Sequence, residues 1–347
     1  MNQYIIKCSA TILTALKAID KLSSKGLTIF VVDEDNRLIG SLTDGDIRRH
    51  ILSHGTLEDS VVNAMNKTPM YLTLGDEQNV NKFKKCKSLG LKIIPIINNN
   101  KQIIDVISTK DQLSILPIDA VLMAGGKGER LRPLTEKKPK PLLPVGDKAI
   151  IDHNVDRLIS YGIRNISVTV NYLGEQIEEH YKEPHSDVDI NCVREPIFMG
   201  TIGAVKLVKK FVNDTILVMN SDLFTDINYE DFYLHFVQYD ADMSVAAVPY
   251  SINIPYGILD IENFRNIKGV IEKPTYDYYA NAGIYLFKKS ILELIPNGVF
   301  FNATDLIELL ISKNKKVIRF PINGTWIDIG NPYEYQKAND IVKHMNI

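Results

Sequence analysis

LMAGGKGERLRPLTEKKPKPLLPV, Leu122 to Val145, is the stretch on which the reading of this chain turns. It sets Gly125, Gly126 and Gly128 among Lys127, Arg130, Arg132, Lys137, Lys138 and Lys140, and adds Pro133, Pro139, Pro141 and Pro144. Those prolines exclude a long helix, and a strand has no use for so much glycine. Glycine admits positive φ and lets a ligand approach the main chain closely. Successive N–H groups in such a turn form a concave nest for phosphate oxygens. Arg130 and Lys140 add full charges beside it, and the prolines reduce the entropy lost on closing over a ligand. The segment reads as a preorganised cradle for a polyphosphate. It is not a Walker loop, because Gly126-Lys127-Gly128 runs into Glu129 rather than Ser or Thr. It is not a dinucleotide fingerprint either, since the G-x-G-x-x-G spacing and an immediate long helix are both missing.

Working outward, IDAVLMA before the loop reads as an apolar strand, and apolar strands then alternate with helical patterns. NISVTVNY precedes GEQIEEHYK, and TILVMNSD precedes YEDFYLHFVQ. This alternation predicts a largely parallel sheet covered on both faces, with ligands beyond the carboxyl ends of its strands. From Met243 on, MSVAAVPY, YGILDIE and NAGIYLFK predict a mixed or antiparallel addition, and PYEYQKANDIVKHM a closing helix. Two acids suit a divalent cation beside a polyphosphate: Asp222 after the strand TILVMNS, and Asp328 in TWIDIG, although an aspartate after a strand is more often a helix cap.

The first hundred-odd residues contain a gapless repeat at an offset of 65, FVVDEDNRLIGSLTDGDIR from Phe30 and PIINNNKQIIDVISTKDQL from Pro95. Each copy reads as strand, polar turn, strand, then a hydroxyl residue three before an aspartate at a helix start: Thr43 with Asp46, and Ser108 with Asp111. Helical stretches, TALKAIDKLSSKG and VNKFKKCKSLG, precede the two strand pairs. Pro117 marks the linker, giving a module over 1–115 and a larger domain over 118–347.

A net charge of −2 leaves no global attraction for nucleic acid or a membrane surface, and neither is expected as a partner. Cys8, Cys86 and Cys192 are odd in number and widely separated, which predicts no disulfide framework. With no signal-peptide pattern and no long apolar run, a cytoplasmic protein is expected. The seven histidines have no metal-ligand spacing.

The string G-G-x-G-x-R-L-x-P-L-T followed by P-K-P-L-L-P-V resembles the sugar-1-phosphate nucleotidyltransferases, and further matches cover about 118 to 345. The resemblance implies a Rossmann-like, GT-A-like mixed α/β sheet. It implies that Leu122, Ala124, Gly125, Gly126, Gly128, Arg130, Lys140, Gly200 and Thr201 face the nucleotide. Glu195 is placed to read a base edge, with a plain surface carboxylate as the alternative. Asp222 and Asp328 would hold Mg²⁺, with Arg130, Lys140 and Asp222 catalytic. Gly257, Glu272, Lys273 and Asn281, in PYGIL, IEKP and NAGIY, would take the sugar phosphate. Ile202 and Ser221 depart from the family's small alanine and glycine.

The N-terminal repeat resembles a tandem CBS module of β-β-α units, implying that Thr43, Asp46, Ser108 and Asp111 could hold the ribose of an adenine nucleotide, and that the chain forms a homo-oligomer. In the second copy, Asp105 stands where the first has Gly40. The order of CBS pair and short transferase core resembles the guanylyltransferases that activate glucosamine-1-phosphate for legionaminic acid biosynthesis. This implies GTP and glucosamine-1-phosphate as substrates, and no appended hexapeptide-repeat β-helix. UTP, dTTP or CTP with a glucose or mannose phosphate, mannose-1-phosphate guanylyl transfer, and a non-catalytic nucleotide sensor are the alternatives.

Overall fold

A computed structural model describes residues 2–22, 28–76 and 78–345. The chain forms two compact units, Met1–Pro117 with Ser160–Gly162, and Ile118–Ile159 with Ile163–Ile347.

In the first unit, strand β1 (Ile5–Lys7) runs parallel to β2 (Thr28–Val32), which pairs antiparallel with β3 (Leu38–Thr43). Helix α1 (Ile12–Leu22) lies between β1 and β2 in sequence, and α2 (Asp44–Leu52) follows β3. The expected continuation of the first helix through 23–26 lies outside the described residues. The second copy repeats the pattern with β4 (Leu72–Thr73), α3 (Asn79–Ser88), β5 (Ile93–Ile97) and β6 (Ile103–Ser108). Neither copy can bury its sheet alone. Phe30, Val32 and Leu38 of the first pack with Ile93, Ile97 and Ile103 of the second.

Two features differ from the sequence reading. A short parallel strand precedes the first helix of each copy, so the first copy runs β-α-β-β-α, with the expected β-β-α inside it, and the second β-α-β-β. The helix start expected at Ser108–Asp111 is only a turn, whereas Thr43 does cap α2. Ser108 Oγ accepts from Lys110 N and Asp111 N at 3.2 and 3.4 Å, but Pro117 follows too soon for a helix to propagate.

The second unit is built on a seven-stranded sheet. Its strands are β7 (Ile118–Ala124), β10 (Asn165–Val170), β11 (Ile190–Arg194), β12 (Thr215–Asn220), β14 (Met243–Asn253), β17 (Thr275–Lys288) and β18 (Val317–Pro321), in the order β11-β10-β7-β12-β17-β14-β18. Only β17 runs against the others. Strands β7 and β12 are buried almost throughout, the mark of a sheet covered on both faces. Helices α4 (Ile150–Ser160), α5 (Gly174–His180), α6 (Tyr229–Gln238), α7 (Ala303–Ser312) and α8 (Pro332–Met345) complete the unit. One core cluster joins Val121, Val218, Met243, Phe287 and Leu306. Short pairs β8 (Pro144–Val145) with β9 (Lys148–Ala149), β13 (Leu223–Thr225) with β19 (Trp326–Asp328), and β15 (Ile258–Glu262) with β16 (Asn266–Ile271) lie outside the main sheet.

Candidate active site

The carboxyl ends of β7, β10 and β12 open onto a cavity of about 600 Å³. Gly125, Gly126, Gly128, Arg130, Lys140, Glu195, Gly200, Thr201 and Asp222 line it together with Ala124. The glycine loop is fixed from outside. Gly128 adopts φ +63°, its carbonyl accepts from Leu131 N and from the Thr135 hydroxyl at 2.8 Å, and Thr135 is fully buried. Tyr172 and Gln176 reach across to the carbonyls of Thr135 and Lys137 at 3.1 and 3.0 Å. Among the described residues, no hydrogen bond within the chain takes up the N–H groups of Gly126, Lys127 and Gly128. A Cβ on Gly126 would meet nothing within 4 Å, whereas one on Gly125 would lie 2.5 Å from a Glu195 carboxylate oxygen. The first glycine is needed for the wall, the second for the cavity.

Asp222 and Asp328 are far apart in sequence but are brought together by β13 and β19, where Leu223 pairs with Asp328 and Ile329 N donates to Asp222 O at 3.2 Å. Both carboxylates bracket the buried ammonium of Lys140: Asp222 Oδ2 accepts from it directly, and Asp328 Oδ1 lies 3.9 Å away. Burial pushes the Asp328 carboxyl above the ordinary carboxylate value, and the charge of Asp222 adds to this, with Lys140 and Arg130 opposing. Asp222 Oδ1 is buried with no hydrogen-bond partner in the chain. No group of three or more His, Cys, Asp or Glu among the described residues is arranged around a metal position. Two carboxylates, one with an orphaned oxygen, fit a Mg²⁺-like ion that keeps waters and substrate oxygens as its other ligands.

On the opposite wall, Glu195 is 5% exposed, so the surface alternative is overturned. Its Oε2 accepts from Met199 N at 2.9 Å, and burial raises its carboxyl above the usual range against that bond. Gly200, at φ +76°, leads into a loop stitched to a distant segment: Ile202 N and Gly203 N both donate to Phe301 O at 3.1 Å, and Phe301 N donates to Met199 O at 3.0 Å.

Other residues lie elsewhere. Leu122 is fully buried within β7, and Met123 takes its place on the wall. Gly257, Glu272, Lys273 and Asn281 are not on the wall of this cavity. Gly257 and Glu272 are neighbours, a Gly257 Cβ lying 2.9 Å from the Glu272 carboxylate, and Lys273 has φ +45°. Asn281 Oδ1 accepts from Gly283 N at 3.0 Å, and Gly283 packs against the wall residue Asn220. In the first unit, Thr43 donates to Asp46 Oδ2 at 2.6 Å and accepts from Asp46 N at 3.2 Å, and Arg49 pairs with Asp46 at 2.5 Å. The sequence reading missed Asn171, Phe198 and Gly330 on the wall. Asn171 directly follows β10, so the rule that ligands gather at strand carboxyl ends could have found it.

The nucleotidyl transferase family model matches residues 119–344, which contain every wall residue. The chain belongs to the nucleotidyl transferase family. The CBS domain model matches residues 1–53, so this nucleotidyl transferase carries an N-terminal CBS domain. It is 36% identical over 229 residues to a bifunctional protein GlmU of Methanocaldococcus jannaschii, covering 64% of this chain and 53% of that one. It is 29% identical over 228 residues to a mannose-1-phosphate guanyltransferase of Pichia angusta, covering 62% and 61%. The chain thus spans about half to three fifths of the length of these relatives. Among solved structures, HddC of Yersinia pseudotuberculosis complexed with GMP-PN matches with a TM-score of 0.51 at 25% identity, over 65% of this chain and 99% of that one. No helix among the described residues is long and apolar enough to cross a membrane.

Proposed function

We propose that this nucleotidyl transferase moves a nucleoside monophosphate from an NTP to a sugar-1-phosphate and releases pyrophosphate, with GTP and glucosamine-1-phosphate as the pair. The observation that carries the reading is the convergence of Asp222 and Asp328 on Lys140, across one cavity from the open amides of Gly126–Gly128. A non-catalytic sensor has no need of paired carboxylates there.

An oxygen of the sugar phosphate, already anionic at neutral pH, attacks the α-phosphorus in line. A new P–O bond forms as the bond to the pyrophosphate oxygen breaks. No general base is needed, and catalysis rests on positioning and charge neutralisation. Mg²⁺, held by Asp222 and Asp328, supplies positive charge to the phosphate oxygens when bound. The glycine-loop amides receive the polyphosphate, Lys140 neutralises charge on the donor, and Arg130 takes charge developing on the departing pyrophosphate. Met123 and Ala124 contribute main chain at the nucleotide, Gly200 and Thr201 line its base side, and Lys273, Glu272, Gly257 and Asn281 receive the sugar phosphate.

Guanine is favoured because an ionised Glu195 only accepts hydrogen bonds, and the guanine edge offers two adjacent donors, N1–H and N2–H. Uracil and thymine offer it a single donor, N3–H, with a carbonyl oxygen on either side. The GMP-PN complex of the structural neighbour and the domain order support the same base. In the N-terminal unit, Thr43 and Asp46 would hold the ribose of a regulatory adenine nucleotide, with Ser108 and Asp111 as the second site. Pyrophosphate release from each of GTP, UTP, dTTP and CTP against a panel of hexose and hexosamine phosphates tests the proposal. No release from any combination refutes the activity, and release with UTP alone refutes the base assignment.

A further inference from the structure

Helix α4 buries an apolar face made of Ile150, Ile151, Val155, Leu158 and Ile159, and one amide stands among them. Asn154 is 2% exposed. An apolar side chain would suit that face at no desolvation cost, whereas a buried amide is unfavourable unless its hydrogens are taken up. Its Nδ2 donates out of the helix, to Leu223 O at 2.8 Å and more loosely to Ser221 O at 3.4 Å. The carbonyl one turn back in its own helix, Ile150 O, is the furthest at 3.5 Å. The two carbonyls reached outside the helix belong to the residues on either side of Asp222.

The same stretch of main chain is held from other directions. Ser221 donates from N and Oγ to Met123 O, on the end of β7, at 3.2 and 2.7 Å. Ile329 N, next to Asp328, donates to Asp222 O at 3.2 Å. Nearly one turn further along α4, Arg157 Nη2 donates to Ile227 O at 2.6 Å, just past β13. The carbonyls of Ser221, Asp222 and Leu223 are thus all engaged, which leaves the Asp222 carboxylate little freedom in where it points.

We infer that Asn154 is a positioning residue for the reaction: through Leu223 O and Ser221 O it sets the main chain that aims the Asp222 carboxylate. The inference rests on the reading of Asp222 as a metal-holding carboxylate. Asn154 is not on the wall of the cavity, so its effect reaches the substrates only through that main chain. Groups that orient a metal-holding side chain are worth about 10- to 100-fold in metal affinity or activity when removed. A misplacement of about 1 Å at a reacting centre costs about a hundredfold.

The test compares Asn154→Leu, which keeps a branched side chain without its donors, with Val155→Ala, a truncation on the same buried face that removes no hydrogen bond. In Asn154→Leu, kcat for pyrophosphate release should fall about tenfold or more, with KM for the triphosphate within about twofold of wild type. The dissociation constant for Mn²⁺, read by calorimetry on the nucleotide-free protein, should rise by about threefold or more. Val155→Ala should lower the thermal midpoint yet keep turnover and Mn²⁺ affinity. If Asn154→Leu does not fold, Asn154→Ser, whose shorter side chain cannot span to Leu223 O, carries the same expectation. Wild-type turnover and Mn²⁺ affinity in the folded variant, or equal losses in Val155→Ala, would overturn the inference. Asp222→Asn run alongside separates the two levels. If it loses turnover while Asn154→Leu keeps it, only the role of Asn154 falls; if both keep it, the reading of Asp222 falls as well.

Discussion

Replacing Asp222 by Asn changes one charge at nearly constant shape. Asp222 Oδ2 accepts from Lys140, and its Oδ1 is buried without a partner, so the substitution removes the lysine's counter-charge and leaves one oxygen where two could serve Lys140 and a metal ion. One unit charge about 4 Å from another, at an effective dielectric constant of about 20, is worth about 4 kcal/mol. If about 2.7 kcal/mol of this acts on the transition state, kcat falls about a hundredfold. The backbone that positions Asp222, through Ile329 N to Asp222 O and the β13–β19 pair, is untouched, so the circular dichroism spectrum should match wild type. The assay is steady-state pyrophosphate release at saturating GTP and glucosamine-1-phosphate, with Mn²⁺ titration calorimetry as a second readout. Affinity for Mn²⁺ should fall with kcat. A folded Asp222→Asn variant with turnover within threefold of wild type would refute the two-carboxylate account.

Other substitutions separate neighbouring roles. Gly126→Ala should leave the urea midpoint unchanged but raise KM for the triphosphate, because its Cβ enters open cavity. Gly128→Ala should destabilise by about 1–2 kcal/mol, because φ is +63° and the new Cβ would lie 2.9 Å from Thr135 Cγ2. Glu195→Gln gains a donor, so selectivity in the four-nucleotide release assay should move from GTP toward UTP and dTTP. Burial raises the Asp156 carboxyl, yet hydrogen bonds from Lys148 and His185 outweigh it and hold the value below the ordinary one. Asp156 therefore contributes stability that is present above the unfolded carboxylate value and lost as pH falls through the lower folded value. Asp156→Asn should cost about 1 kcal/mol at pH 7 in urea unfolding, and the difference from wild type should close as pH falls below the ordinary carboxylate range.

The glycine loop, its proline stiffening and the strands β7, β10 and β12 were legible because each is written locally, in runs such as IDAVLMA and TILVMN. The likeness to a family pointed to Asp328, but its partner was not readable from spacing, since the β13–β19 pair is entirely non-local. Glu195 carried no burial signal, because its burial comes from the tertiary fold rather than from an apolar run. Strand β16 and the first half of β17 escaped notice because NIKGVI and TYDYYA carry no core-facing alternation and pair only with each other's neighbours on an exposed arm. Repeat symmetry overreached at Ser108–Asp111, where a matching hydroxyl and acid could not supply the chain length a helix needs.

The stitch between Met199–Gly203 and Phe301 has a bearing on engineering. A change of base preference attempted by transplanting 195–203 alone would import half of a clasp, since the receiving carbonyl sits on the segment that launches α7. Swaps that carry 299–303 along with 195–203 should give folded chimeras, whereas single-segment swaps should lose nucleotide affinity whatever base they were chosen for.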